Sequence, residues 1–141
     1  MYILFEGIDG AGKSTQIARL AVAYPQAIVT KEPGGTKLGE NLREILLKEN
    51  DLDKRAEILL FLADRAEHFG KIIKPNLDKM ILSDRGFISG IAYALANDEN
   101  LDEKVLLELN KFALNDKFAD KIIFFEASRE LISSRLKARG T

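Results

Sequence analysis

One stretch near the start of the chain carries the strongest fold signal: Phe5-Glu6-Gly7-Ile8-Asp9-Gly10-Ala11-Gly12-Lys13-Ser14-Thr15. It matches the phosphate-binding loop pattern of glycine, four variable residues, glycine, lysine, and serine or threonine. The fixed positions of that pattern are filled by Gly7, Gly12, Lys13 and Ser14. An apolar run, Tyr2 to Phe5, stands before the stretch and an amphipathic run follows it. This is the strand, loop and helix setting that the motif requires.

The loop chemistry predicts a nucleotide polyphosphate as its ligand. Glycine lets the chain turn without a Cβ clash, so backbone N–H groups converge, and the following helix directs its positive end at the same anion. Lys13 would neutralise phosphate charge, and the Ser14 hydroxyl would ligate Mg²⁺. The expected nucleotide contacts are Gly7, Ile8, Asp9, Gly10, Ala11, Gly12, Lys13, Ser14 and Thr15. The alternative is a glycine-rich turn that binds nothing.

The composition favours one globular domain and excludes several kinds of site. A chain of 141 residues with 46% hydrophobic content buries roughly 68–70% of its unfolded surface. The net charge of −1 gives no large field to attract nucleic acid or an anionic membrane. With no cysteine and one histidine, disulfides, thiolate zinc sites and histidine metal clusters are not expected. No apolar run approaches ~18 residues and no signal sequence precedes the first strand, so we expect a cytoplasmic location.

Short apolar runs alternate with longer helical patterns, which is typical of a parallel sheet covered by helices. Strands are predicted at Tyr2–Glu6, Ala27–Thr30, Met80–Ser83 and Lys121–Phe125. Helices are predicted near Lys13–Tyr24, Leu38–Lys48, Asp53–Lys74, Ile88–Asn97, Asp102–Leu114 and Ser128–Arg139. We therefore expect a three-layer α/β fold with helices on both faces and a ligand crevice beyond the carboxyl ends of the strands.

Two further stretches follow predicted strands and should lie at that crevice. Thr30-Lys31-Glu32-Pro33-Gly34-Gly35-Thr36 follows the second strand, and is either a functional loop or a plain Pro-Gly turn. Asp84-Arg85-Gly86 ends the third strand. There the carboxylate resembles the Walker B position that holds Mg²⁺, and the guanidinium suits phosphate oxygens. A turn with a local ion pair is the alternative for this second stretch.

Phe61 and Arg65 are four residues apart on one predicted helix, so they share a face. A ring beside a planar guanidinium suits a flat, hydrogen-bonding base. Alternatively, Phe61 packs in the core and Arg65 pairs with Glu57 or Asp64 at the surface. We expect His68 on the helix surface, without a chemical role.

Two later helices carry further candidates. Ser89 and Tyr93 are again four residues apart, so both can face one cleft. Arg129 and Lys137 are attributed mainly to the structure of the last helix, whose final turn is basic.

Together these stretches resemble the thymidylate kinase family of nucleoside monophosphate kinases. The resemblance rests on Phe5–Thr15, Glu32–Thr36, Leu60–Arg65 and Asp84–Tyr93, in the family's order. It implies one P-loop nucleoside monophosphate kinase domain over residues 1–141 that uses ATP and Mg²⁺ to convert dTMP to dTDP, on the way to dTTP. It also implies a homodimer formed through helix faces. Family members usually continue through a lid, a further strand and a closing helix, which would follow Thr141.

The resemblance also implies roles for individual residues. Phe61 corresponds to the residue that stacks on thymine, and Arg65 to the one that hydrogen-bonds the base edge. Asp9 corresponds to a carboxylate near the 3′-hydroxyl and phosphate of the acceptor, and Arg85 to the arginine that grips the dTMP phosphate. The other expected acceptor contacts are Glu32, Pro33, Arg43, Ser89, Gly90 and Tyr93, with Tyr93 under the sugar.

Catalysis would then rest on Lys13, Asp9 and Arg85, with Mg²⁺ near Ser14 and Asp84. Gly10 stands where some relatives carry a loop arginine, and relatives without it take the catalytic arginine from the lid. Arg135 or Arg139 would approach the transferring phosphoryl group when such a lid closes. Two alternatives stay open: another nucleoside monophosphate as acceptor, and a nucleotide-binding switch, although the Asn-Lys-x-Asp segment of such switches is missing.

Overall fold

A computed structural model describes residues 1–140 of the chain. One sheet contains the strands β1 (Tyr2–Glu6), β2 (Ile28–Lys31), β3 (Ile81–Asp84) and β4 (Lys121–Phe124). The α-helices are α1 (Lys13–Ala23), α2 (Lys37–Lys48), α3 (Lys54–His68), α4 (Phe87–Asn97), α5 (Glu103–Ala113) and α6 (Arg129–Ala138). Every predicted element is confirmed to within one residue at each end, except at the end of α3.

The chain after α3 does not stay α-helical to Lys74, so this part of the prediction was wrong. A π-helical turn covers Phe69–Ile73 and a 3₁₀ turn covers Lys74–Asn76. Phe69 and Ile73 are both buried in the core, and the wider π-helical turn brings them there. Pro75 has no N–H to donate, so α-helical hydrogen bonding does not resume.

The sheet is covered on both faces, as predicted. Tyr2 and Leu4 pack against Phe69 and the C-terminal end of α5. Ile3 and Phe5 pack against α1 on the opposite face. Because successive strand residues point to opposite faces, β1 supplies the centre of both cores. No helix within residues 1–140 has both the length and the apolar character needed to span a membrane.

The strand order is β2-β3-β1-β4, and every pair is parallel. After β1, the chain forms β2 and β3 on one side of β1 and then forms β4 on the other side. A crevice therefore opens where the connections diverge, at the carboxyl ends of β1 and β3. The register places Asp84 beside both Phe5 and Lys31. The loops after these three strands thus meet at one edge of the sheet.

A buried ion pair joins the loop after β2 to α3. Arg65 Nε donates to Glu32 Oε2 at 2.7 Å, and His68 Nδ1 lies 2.8 Å from Glu32 Oε1. Burial alone would raise the pKa of Glu32, but Arg65 and His68 outweigh it and hold the pKa below its ordinary value. The surface pairing considered for Arg65 is therefore wrong. The surface position expected for His68 is also wrong, since its exposure is 0%.

The Pro-Gly-Gly segment packs closely against α3, so it is more than a plain turn. Gly34 N donates to Asp64 Oδ1 at 2.9 Å. A Cβ at Gly35 would lie 2.7 Å from Cδ2 of His68, closer than two carbon atoms can approach. The glycine therefore lets the loop pass over the imidazole of His68.

Glu32→Gln keeps the shape of the side chain but leaves Arg65 buried without its counter-ion. We expect this change to lower the free energy of unfolding at pH 7 by about 3–5 kcal/mol, the range for breaking a buried pair. Because the pKa of Glu32 is lower in the folded state than in the unfolded state, its ionisation stabilises the fold. This stabilisation is complete above the ordinary pKa of 4.5 and is lost as the pH falls through the folded-state pKa. Urea unfolding should therefore give free energies for wild type and variant that converge at pH values below the folded-state pKa of Glu32.

The matched control is Glu126→Gln, which changes an exposed glutamate and should leave the unfolding free energy unaltered. Wild-type stability of Glu32→Gln at pH 7 would contradict the assignment. A stability difference that did not shrink on acidification would contradict the pKa direction.

Candidate active site

The loop between β1 and α1 adopts the backbone conformation that its glycines predict. Gly7 and Gly12 have φ values of +139° and +104°, in the left-handed region that favours glycine. A Cβ at Gly7 would lie 2.7 Å from the carbonyl oxygen of Phe125. The loop ends where α1 begins, at Lys13, so the positive end of the helix adjoins it.

Lys13 is buried and reaches back over the loop. Its Nζ donates to the carbonyl oxygens of Gly7 at 2.8 Å and Ile8 at 3.1 Å. Burial lowers the pKa of Lys13, and the positive charge of Arg85 lowers it further. An ammonium group has three donors, so one remains for a ligand in the pocket that Lys13 lines.

Arg85 is held above this loop by its backbone and by two side-chain partners. Its φ of +70° is uncommon outside glycine and is typical of functional positions. Nη2 donates to Asp9 Oδ1 at 2.8 Å, and Nη1 donates to Ser89 Oγ at 3.0 Å. The hydrogen bond from Arg85 lowers the pKa of Asp9. Asp9, Arg85 and Ser89, predicted from separate stretches, are thus brought together.

Glu6 completes this network, and the sequence interpretation missed it. It is the buried last residue of β1. The Ser89 hydroxyl donates to Glu6 Oε2, and Ser89 N donates to Oε1 at 3.4 Å. The hydroxyl therefore accepts from Arg85 while donating to Glu6, which fixes its orientation. A glutamate ending an apolar strand was the available signal, because buried carboxylates need partners.

Ser14 and Asp84 lie beside each other where a metal ion was predicted. Ser14 Oγ is 3.5 Å from Asp84 Oδ2, and Asp84 Oδ1 is buried without a hydrogen-bond partner. Such orphaned oxygens are rare, and a bound cation would satisfy this one. Within residues 1–140, no group of three or more acidic or histidine side chains is arranged to hold a metal ion. The pair therefore suits Mg²⁺, which usually takes few protein ligands together with water and phosphate oxygens.

A polar pocket of about 160 Å³ lies between these elements. We call it the phosphate pocket. Its lining consists of Asp9, Gly10, Gly12, Lys13, Ser14, Lys31, Glu32, Arg43, Asp84, Arg85 and Arg139. Five of these side chains are basic and three are acidic, so the pocket suits an anion.

A second cleft, which we call the base cleft, contains Phe61, Arg65, Gly90 and Tyr93 in its lining. Phe61 lies in neither core cluster, which favours the ligand role over core packing. A Cβ at Gly90 would lie 3.0 Å from Arg65 Nη1, so Gly90 leaves room for the guanidinium. The cleft encloses about 20 Å³, the space of one water, so a larger ligand could enter only if its walls moved apart.

The guanidinium of Arg65 is fixed from three sides. Besides the bond from Nε to Glu32, Nη1 donates to Asn110 Oδ1 at 2.7 Å and Nη2 donates to Gly86 O at 3.0 Å. Asn110 was not predicted, because its place depends on how α5 packs. Arg65 lines the base cleft and its partner Glu32 lines the phosphate pocket, so the two sites adjoin through this ion pair.

The other predicted contacts are placed as follows. Arg43 Nη1 donates to the carbonyl oxygen of Pro33 at 3.1 Å, which keeps Arg43 at the phosphate pocket. Pro33 contributes that carbonyl and is not among the residues that line the pocket. Arg135 of α6 donates from Nη1 to Gly10 O at 2.8 Å, and Arg139, which caps the C-terminal end of α6, lines the phosphate pocket.

Comparison with known proteins assigns this arrangement to one family. A family model described as thymidylate kinase matches residues 5–141. Thymidylate kinase of Campylobacter concisus (strain 13826) is 82% identical over 100% of this chain and 73% of its own length. That of Campylobacter curvus (strain 525.92) is 66% identical over 99% of this chain and 73% of its own length.

A solved structure gives the same result. The crystal structure of thymidylate kinase from Ehrlichia chaffeensis matches with a TM-score of 0.81 and 37% sequence identity. The match covers 98% of this chain and 82% of that one. This chain therefore belongs to the thymidylate kinase family.

Proposed function

We propose that the chain transfers a phosphoryl group from ATP to dTMP, giving dTDP and ADP on the route to dTTP. The observation that carries this is the direct link between the two sites: Arg65, which lines the base cleft, donates to Glu32, which lines the phosphate pocket, at 2.7 Å. A nucleoside monophosphate needs its base and its phosphate bound at two such adjoining sites. Family membership supports the same reaction. We also propose a cytoplasmic location, which cell fractionation would test.

At the phosphate end, the proposed mechanism relies on alignment and charge neutralisation. Lys13 and the loop N–H groups bind the donor phosphates. Arg85 binds the phosphate of the acceptor, and Asp9 lies beside it near the sugar. A phosphate monoester with a second pKa near 6 is largely dianionic at neutral pH, so no general base is needed. Arg139, which caps the C-terminal end of α6 and lines the same pocket, would approach the transferred group.

At the base end, Phe61 stacks on the ring and Arg65 hydrogen-bonds its edge. A guanidinium has five N–H donors, and the bonds to Glu32, Asn110 and Gly86 use three of them. The two remaining donors suit a carbonyl oxygen, such as O4 of thymine or uracil, and not the amino group that cytosine carries at the same position. This supports a base with a carbonyl oxygen at that position, and family membership then favours dTMP, with Tyr93 against the sugar.

We propose that Ser14 and Asp84 hold Mg²⁺. The orphaned Oδ1 of Asp84 and the nearby Ser14 hydroxyl support this assignment. When bound, the ion neutralises charge on the phosphates. Ser14 at the start of α1 and Asp84 at the end of β3 would hold the ion between the phosphate loop and the sheet.

The reaction is tested by coupled ADP release with dTMP, dUMP, AMP and GMP as acceptors. We expect turnover to be fastest with dTMP. Lys13→Ala should reduce turnover by about 10²–10³-fold, as for other lost donors that stabilise transferred charge. Lys104→Ala, at an exposed position, is the matched control and should retain wild-type rates. Faster turnover with AMP or GMP, or a wild-type rate in Lys13→Ala, would contradict the proposal.

The metal assignment is tested by Asp84→Asn, which keeps the size of the side chain but removes its charge. The Mg²⁺ concentration for half-maximal turnover should rise by about 10-fold or more, as for other altered metal environments. Asp78→Asn changes an exposed aspartate and should leave the Mg²⁺ dependence unchanged. An unchanged dependence in Asp84→Asn would place the ion elsewhere.

We further propose a homodimer formed through α3 and α5. Ile58, Leu59, Val105 and Leu109 line an apolar groove of about 410 Å³ between these helices, and exposed apolar patches mark interfaces. Sedimentation analysis should give a dimer for wild type and a monomer for Leu59→Glu. Leu47→Glu, at an exposed leucine of α2, should remain dimeric. A monomeric wild type would reject the proposal.

A further inference from the structure

A line of buried hydrogen bonds runs from β2 to the guanidinium at the base cleft. Thr30 Oγ1 lies 2.6 Å from His68 Nε2, and His68 Nδ1 lies 2.8 Å from Glu32 Oε1. Glu32 Oε2 in turn accepts from Arg65 Nε at 2.7 Å. Four side chains, from β2, the loop that follows it and α3, are thus connected in series. His68 lies in the middle and lines neither the phosphate pocket nor the base cleft.

We propose that His68 and Thr30 are positioning residues for base recognition, acting through Glu32 on Arg65. The proposal rests on the assignment of Arg65 as the residue that binds the base edge. His68 would touch no substrate. Its role would be to fix the carboxylate that in turn fixes the guanidinium.

The argument begins with the carboxylate. Arg65 occupies only Oε2 of Glu32, so this single bond leaves the carboxylate free to turn about its last side-chain torsion, which is broad. The bond from His68 to Oε1 removes that freedom. Because an ionised carboxylate only accepts hydrogen bonds, Nδ1 of His68 must carry a proton.

The other side of the imidazole is held in a way that tolerates either protonation state. The Thr30 hydroxyl donates to Nε2 when the imidazole is neutral and accepts from it when the imidazole is charged. A Cβ at Gly35 would lie 2.9 Å from Nε2 of His68, so the loop closes directly over the ring. The ring therefore has one orientation, set by Thr30 on one side and Glu32 on the other.

The consequence falls on Arg65. With Nε, Nη1 and Nη2 each bonded, the guanidinium plane is fixed and its two remaining N–H donors have a defined direction. Binding sites need their polar groups held within about 10–20° of the productive geometry. Loosening Glu32 would leave Arg65 charged and present but less well aimed, so recognition of the base would weaken before the fold is lost.

The test uses two amides that replace different nitrogens of the imidazole. The amide nitrogen of asparagine falls near Nδ1, so His68→Asn retains the donor to Glu32. The amide of glutamine falls near Nε2, so His68→Gln retains only the contact with Thr30. We expect His68→Gln to raise the Kd for dTMP about tenfold, as for loss of a hydrogen bond to a charged group. His68→Asn should restore affinity to within about threefold of wild type.

Calorimetric titration of each variant with dTMP and with Mg·ATP separates positioning from general structural damage. The Kd for Mg·ATP should stay within about twofold of wild type in both histidine variants, because neither His68 nor Arg65 lines the phosphate pocket. The preference for dTMP over dCMP should fall in His68→Gln. Thr30→Val replaces the hydroxyl with a methyl group and provides the test if a histidine variant does not fold. We expect it to raise the Kd for dTMP about threefold.

The possible failures can be told apart with Arg65→Ala. Unchanged dTMP affinity in Arg65→Ala would reject the base-reading role of Arg65 and this proposal with it. Weakened affinity in Arg65→Ala but wild-type affinity in His68→Gln would reject the positioning role alone. Equal losses for dTMP and Mg·ATP in His68→Gln and His68→Asn would show a merely structural histidine, which also overturns the proposal.

Discussion

The buried carboxylate of Glu32 constrains both the fold and the site. An ionised carboxylate removed from water is several kcal/mol less stable unless charge and hydrogen bonds compensate it. Here both oxygens are used, one by Arg65 and one by His68. Both partners lie on α3, so this helix must pack where the loop after β2 leaves the sheet. The same requirement brings the face of α3 that carries Arg65 and His68 to the edge of the sheet that holds the phosphate loop.

A second buried carboxylate, that of Glu6, orients an arginine at the phosphate end of the site. Glu6 ends β1 and holds Ser89, which holds Arg85. Glu32 follows β2 and Asp84 ends β3, so three adjacent strands each deliver a carboxylate to the same edge. Neighbouring strands lie about 4.8 Å apart. The spacing of these three carboxylates is therefore set largely by the sheet, and side chains supply the final orientation.

Local patterns predicted the parts of this arrangement that depend on local sequence. The glycine spacing predicted the phosphate-binding loop, and the apolar runs predicted the four strands. The position just after a strand predicted Asp84 and Arg85 as site residues. The π-helical turn after His68 was missed because helical periodicity continues into Phe69 and Ile73, and only packing on the sheet shows the change. Asn110 was missed because it reaches Arg65 across 45 positions of sequence.

His68 was missed for a different reason. Phe61, Arg65 and His68 stand at i, i+4 and i+7 of one helix, so the spacing that paired the first two also placed the third on their face. Helical spacing could not tell whether that face met solvent or the loop after β2. The deciding fact was Gly35, whose missing Cβ allows the loop to close over the imidazole. A histidine and a glycine 33 positions apart only acquire this relation in the folded chain.

The two arginines of the site differ in how firmly they are held, and the difference follows from burial. Arg65 makes three buried bonds, and breaking any of them would leave a buried polar group without a partner. Arg85 instead pairs with Asp9, whose side chain is 81% exposed. Exposed ion pairs contribute little stability, so Arg85 can exchange Asp9 for a phosphate oxygen with little loss. Under the proposed roles, the base end is therefore the rigid part of the site, and the phosphate end keeps the exchangeable contacts.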